Sequence, residues 1–219
     1  MDNFDDKVFH VDDAEEVSQN ITESIKKENN FFLSAVNKEV LDWLEVVITA
    51  VISVVIIFTL FFRVATIDGP SMKETLHHGD KVIITNFAYT PKNGDIVVIS
   101  RNYNNSIEDV NASQMPIIKR VIATEGQTVD INFEKGIVYV DGKALDEPYT
   151  SSPTTRQFDV EFPITVSPGC IFVLGDNRND SLDSRDSSIG LDGMIDERYV
   201  LGKAIYRIFP FDDFGGLYK

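Results

Sequence analysis

The chain reads as a mainly β domain preceded by one N-terminal transmembrane helix. Three observations predict this. Residues 46–62 (VVITAVISVVIIFTLFF) are 17 consecutive uncharged residues. After Ser71, short β-branched runs alternate with turn residues, and helical periodicity is scarce. Setting aside the apolar run and the acidic stretch before it leaves about 155 residues, enough for one buried core. The expected organisation is an acidic tail with an interfacial helix over 1–45, a transmembrane helix over 46–65, and a β-rich domain over 66–219.

In chain order, residues 1–23 are polar and acidic and predict a mobile tail. From Ile25, apolar residues at Phe32, Val36, Val40 and Leu44, flanked by Phe31, Leu33, Leu41 and Trp43, recur at helical spacing. They fit either a helix lying on a bilayer surface, with Trp43 at headgroup depth, or a partly ordered tail. The uncharged run spans about 25 Å as a helix, near the lower limit for a hydrocarbon core. A snorkelling Arg63 lets Val64 and Ala65 extend it. A buried helix of a soluble protein seldom holds such a run, and a cleaved signal peptide fits poorly when the run begins 45 residues in. Lys26, Lys27 and Lys38 before the span balance Arg63, Lys73 and Lys81 after it, so loop charge assigns no orientation.

Beyond the span, Val82–Ile84, Ile96–Ile99, Pro116–Ile122, Val129–Phe133, Ile137–Val140, Cys170–Leu174 and Tyr199–Phe209 are the expected strands. Pro91, Asn93-Gly94, Lys135-Gly136 and Asp141-Gly142 mark turns. Residues 101–115 form a long polar loop. Residues 146–168 form an excursion with a short strand at Val160–Phe162.

Composition excludes several functions. The formal charge is −15, split as −8 over residues 1–45 and −7 over 63–219. No basic patch invites nucleic acid. The single cysteine, Cys170, reads as a buried strand residue and can form neither an internal disulfide nor a thiolate metal site. There is no phosphate loop and no H-E-x-x-H. The acidic run 176–186 fails as a calcium loop, with Arg178 at a ligand position and Ser181 at the required glycine. No metal or cofactor is expected.

The chemistry-bearing candidate is Ser71, in Gly69-Pro70-Ser71-Met72, just beyond the span. A serine hydroxyl needs a base. His10 lies across the span, and His77 and His78 follow Ser71 by only six and seven residues, which disfavours them as bases without excluding them. A neutral lysine is the main remaining candidate, and burial favours its neutral form. Lys119 sits in Met115-Pro116-Ile117-Ile118-Lys119-Arg120-Val121-Ile122, where a strand would place it on one face with Ile117 and Val121 and Arg120 on the other. The alternative is an edge-strand lysine in water. Met72 reads as an apolar residue packed under the site.

Gly69-Pro70-Ser71-Met72, Lys119-Arg120-Val121-Ile122 and Gly175-Asp176-Asn177-Arg178-x-x-Ser181-x-Asp183-Ser184-Arg185 occur in the order found in bacterial type I signal peptidases. The chain resembles that family over most of residues 43–210. The third motif matches the family pattern at every defined position. Glu74 stands where the family usually has proline, and Ala123-Thr124-Glu125-Gly126-Gln127 replaces its usual Gly-Leu-Pro-Gly-Asp, departures that bear on loop shape and substrate preference.

The resemblance implies a β catalytic domain of the kind shared with LexA-like proteins, and a serine endopeptidase that removes signal peptides. It implies Ser71 as nucleophile, Lys119 as general base, and Ser181 as the hydroxyl that hydrogen-bonds the lysine amine. Asp183 and Arg185 match a structural ion pair; Asp176 and Arg120 fit similar scaffold roles. Some relatives supply an oxyanion-hole serine at the position of Gly69, so here the hole would rest on backbone N–H groups, chiefly that of Ser71. The implied partners are signal-peptide-bearing secretory precursors and membrane lipid. A precursor with small residues one and three positions before the cut would lie as a strand along Ile67, Asp68, Gly69 and Pro70 and along Met115, Pro116, Ile117 and Ile118. The implied location is the cell membrane, with a cytoplasmic N-terminus and an extracytoplasmic β domain. A LexA-type self-cleaving regulator is the rival, and the acidic N-terminus leading into a span argues against it. An inactive membrane-anchored binding module is another, opposed by the joint presence of Ser71, Lys119 and Ser181.

Overall fold

The computed structural model describes residues 11–100 and 116–218. Helix α1 (Val11–Phe61) runs 51 residues and contains neither glycine nor proline, so nothing in its interior breaks it. The expected mobile tail is therefore helical from Val11 onward. Its acidic composition denies that stretch a core but does not oppose helix. Residues 1–10 and the polar loop 101–115 lie outside the described residues.

Lys38–Phe61, 24 residues, is long and apolar enough to cross a membrane, at about 36 Å. The helix stops at Phe61, short of the expected 65. Phe62–Thr66 instead forms strand β1, pairing antiparallel with Lys81–Thr85 (β2), and Arg63 lies opposite Ile84. The ladder satisfies backbone groups that a helix end leaves open. Contacts divide the chain into Met1–Ile56 and Ile57–Lys219. The first unit is helical wherever it is described.

The second unit is built of two antiparallel sheets. The larger combines β1 and β2 with Ile96–Ile99 (β3), Ile117–Thr124 (β4), Cys170–Leu174 (β9), Ile195–Asp196 (β10) and Val200–Phe209 (β11), in the order β1-β2-β11-β3-β4-β9-β10; Gly215–Gly216 (β12) adds to β11. The smaller has the order β7-β6-β5-β8, from Thr128–Asn132 (β5), Ile137–Val140 (β6), Lys143–Ala144 (β7) and Ile164–Thr165 (β8). The strand expected at Val160–Phe162 is instead irregular chain, and β8 begins beyond Pro163. Proline has no N–H to give a ladder.

Three apolar clusters fill the domain. One holds Met72, Leu76, Val82 and Ile118. A second holds Val129, Val140, Phe172 and Cys170. The third holds Val97, Val121, Ile171 and Val173. Strand β4 feeds all three, through Ile118, Val121 and Ile122. A strand covered on both faces reads as a continuous apolar run, as this one does. The two charges within it are buried too: Lys119 is 4% exposed and Arg120 5%.

Candidate active site

Ser71 sits on a turn that follows β1. Gly69 takes φ +88°, a conformation that favours glycine. Met72 then anchors the turn, fully buried in the first cluster. Its carbonyl oxygen accepts the N–H groups of Thr75 and Leu76 at 3.0 and 2.8 Å. Glu74 has φ 91°. Proline, locked near φ −65°, cannot adopt this shape. The Glu74 departure noted in the sequence thus accompanies a turn that proline would forbid.

Strand β4 carries Lys119 to this turn. Its Nζ donates to Ser71 Oγ at 2.8 Å and to the Ile118 carbonyl oxygen at 3.1 Å. Residues 48 apart in the chain thus meet side chain to side chain. The third motif closes the site from the end of β9. Asn177 N–H donates to the Ser71 carbonyl oxygen at 3.0 Å, and Asn177 Nδ2 to that of Pro70 at 3.2 Å. A Cβ on Gly175 would overlap Ser181 Oγ and the Ser71 carbonyl oxygen. The glycine is what lets these two segments approach.

Ser181 departs from expectation. It is 3% exposed, and its Oγ has no hydrogen-bond partner among the described residues, so the bond to the lysine amine is not made in this arrangement. An unmet buried hydroxyl costs free energy, about 1–3 kcal/mol, which marks it as hydrogen-bonding capacity held ready inside the site.

Two ion pairs are buried at the site, the expected Asp183–Arg185 and a second that joins Arg120 to Asp176. Arg120 grips Asp176 through two parallel bonds, Nε to Oδ1 at 2.8 Å and a terminal nitrogen to Oδ2 at 2.7 Å. Asp176 also accepts from the Thr75 hydroxyl, which ties the pair to the Ser71 turn. Burial works against the Arg120 cation, but Asp176 outweighs it and raises the guanidinium above its ordinary pKa. Arg185 grips Asp183 at 2.8 and 2.9 Å, with both side chains fully buried. Asp183 Oδ2 in turn accepts Gly175 N–H at 3.0 Å.

Arg178 belongs to the third motif, but its partners Glu147, Tyr149 and Thr154 gave no local signal in the sequence. Arg178 pairs with Glu147 and donates to Thr154 Oγ1 at 2.8 Å and to the Gly175 carbonyl oxygen at 3.0 Å. Tyr149 donates to Glu147 at 3.0 Å, and the Arg120 guanidinium stacks 3.9 Å from its ring. Burial, with the Glu147 carboxylate adding, pushes the Tyr149 phenol well up. Asn179 Oδ1 accepts the N–H groups of Thr155 and Arg156 at 3.2 and 3.1 Å. Together these bonds pin the 146–168 excursion to the motif loop.

A groove of about 310 Å³ is lined by Ile67, Asp68, Pro116 and Ile118, four of the expected substrate-binding residues. Gly69 and Pro70 lie on the turn that leads to Ser71, not on the groove lining. Ile117 packs against the third cluster instead, because alternation along β4 turns it away from Ile118. Met115 lies outside the described residues. Asp68 Oδ1 stands 3.2 Å from His78 Nδ1, and Gly69 N–H reaches the same nitrogen at 3.3 Å.

Residues 40–209 match the family model described as signal peptidase, peptidase S26. The probable signal peptidase I-1 of Synechocystis sp. is 35% identical over 172 residues, covering 76% of this chain and 82% of that one. Signal peptidase I T of Bacillus subtilis is 30% identical over 210 residues, covering 91% and 97%. Among solved structures, a signal peptidase I from Enterococcus faecalis V583 aligns over 52% of this chain and 97% of its own, at 26% identity and a TM-score of 0.39. With the family match running through β1, Ser71, Lys119 and the whole third motif, this chain belongs to the signal peptidase family, peptidase S26.

Proposed function

We propose that this chain is a membrane-anchored serine endopeptidase that removes signal peptides from secretory precursors, with Ser71 as nucleophile and Lys119 as general base. One observation carries the reading: an amine on a residue 4% exposed lies 2.8 Å from a serine hydroxyl. Burial favours the neutral amine. A neutral amine accepts the hydroxyl proton across that same contact.

Ser71 Oγ then attacks the scissile carbonyl carbon, and its proton passes to Lys119 Nζ. Backbone N–H groups at the Ser71 turn are assigned to the developing oxyanion. The ammonium returns the proton to the departing amine as the peptide C–N bond breaks, leaving an ester on Ser71. Water, losing a proton to Lys119, attacks the ester carbonyl; the acyl C–O bond to Ser71 breaks, the ammonium returns its proton to Ser71 Oγ, and the new C-terminal acid leaves and ionises. Ser181 is assigned to orient the amine, supported by its unmet buried hydroxyl beside Gly175.

The precursor is assigned to the groove beside Ile67, Asp68, Pro116 and Ile118. Strand β1 ends the larger sheet, and an open edge accepts an extended peptide through backbone bonds. The apolar segment Lys38–Phe61 would hold the enzyme at the membrane where such precursors lie. The N-terminus is assigned to the cytoplasm and the β domain to the far side of the membrane, a reading supported by family likeness.

The test is cleavage, in detergent, of a precursor with alanine one and three positions before the cut. Wild type should release the mature protein, and Ser71→Ala and Lys119→Met should not. Equal cleavage by either variant would falsify the dyad. Protease protection of membrane vesicles checks the orientation.

A further inference from the structure

Strand β1 presents a charge where its neighbours present apolar residues. Residues directly opposite in an antiparallel pair share a face. Arg63 lies opposite Ile84 and Ala65 opposite Val82. Ile84 and Val82 belong to the first cluster, and Ala65 packs against it. Alternation therefore turns Arg63 toward the core side of the sheet. There it remains exposed and lines the groove whose walls include Ile84, Val98, Ile118 and Leu201. Asp68, the other charged residue of the lining, stands 3.2 Å from His78 Nδ1 and keeps its carboxylate half-exposed. Arg63 makes no ion pair or side-chain hydrogen bond among the described residues.

We propose that Arg63 is a specificity-determining residue that reads charge in the precursor upstream of the cut, favouring acidic over basic side chains there. The inference rests on the groove assignment made under Proposed function. An extended peptide advances about 3.3 Å per residue, so one that ends at Ser71 and follows β1 brings a residue roughly five to eight positions before the cut to Arg63. A guanidinium without a protein partner attracts a carboxylate there and repels an ammonium.

The test uses full-length protein in neutral detergent and peptides that share one cleavage site. They carry Glu, Gln or Lys at each position from four to nine before the cut. The readout is the ratio of kcat/KM for Glu over Lys at each position, which cancels any uniform loss caused by a variant. Wild type should favour Glu by roughly two- to fivefold at one or two adjacent positions, the size of an exposed pair. The preference should shrink in high salt. Arg63→Gln should flatten it and Arg63→Glu should invert it. A ratio that is unchanged in Arg63→Glu, or a wild type indifferent to charge at every position, overturns the proposal. Failure of wild type to cut any peptide, or cutting that survives Ser71→Ala, would instead overturn the underlying reading of the site. An effect of Arg63 that acts only by anchoring the protein to lipid would scale all peptides alike and leave the ratio unmoved.

Discussion

The carbonyl oxygen of Ser71 accepts the N–H of Asn177 at 3.0 Å, so the nucleophile's turn hangs from the loop that follows β9. The approach is close enough that only hydrogen fits on the Cα of Gly175, two residues earlier. Gly175→Ala should therefore push Ser181 and the Ser71 turn apart. The expected result is a loss of activity of about tenfold or more, since small displacements of reacting groups are costly. Overpacking should cost about 1–3 kcal/mol of stability. Steady-state cleavage and chemical denaturation measure the two. Full activity in this variant would mean that the loop has no part in placing the nucleophile.

Lys119→Met keeps an apolar stem of the same length as far as Cε but removes the amine. Cleavage should fall by about a thousandfold or more, as for loss of a base that acts as a unit with its nucleophile. Thermal stability should hold or rise, because a buried amine is replaced by a thioether. In wild type the acid limb of the rate profile should lie well below the titration range of an exposed lysine. A limb that rises only in that alkaline range would show that the amine is solvated.

The Arg120–Asp176 pair is buried at both ends. Asp176→Ala would leave a guanidinium without its carboxylate and should destabilise the fold by about 3–5 kcal/mol. Replacing both partners with apolar residues should recover part of that. Urea denaturation of the single and double variants checks the order.

Glu147 should matter although it lies far from the chemistry in sequence. It is the acidic partner of the buried Arg178. Glu147→Ala should loosen residues 146–168 and expose them to limited proteolysis while β4 and β9 stay protected. Cleavage elsewhere with the excursion intact would contradict this.

Glu197 supplies a pH test of the fold. Burial, with Glu125 and Asp196 nearby, raises its pKa. The folded state therefore holds the proton more tightly than the unfolded chain does. That contribution favours the fold below the unfolded carboxylate pKa and is lost as pH rises through the raised folded value. Glu197→Gln should thus raise Tm at neutral pH, and the gain should vanish in acid. A gain that persists unchanged at low pH would assign it to another cause.

Local pattern alone determined the apolar span and the strands at β2 to β6, β9 and β11, and it offered Ser71 and Lys119 as candidates; the motifs that join them to Asp176 through Arg185 were legible only by resemblance to a family. Burial on one or both faces writes itself into residue type every two or four positions, and turns into glycine, proline and asparagine. Pairing partners carry no such local mark. Only the tertiary structure decided that α1 gives way to a strand at Phe62, that Pro163 delays β8, and that Arg178 meets Glu147. It likewise decided that Ile117 turns from the groove while Arg63 turns into it, and that Ser181 holds a hydroxyl without a partner among the described residues. Each of these depends on which distant segment arrives to satisfy a backbone or a charge, and that is settled only when the sheets close.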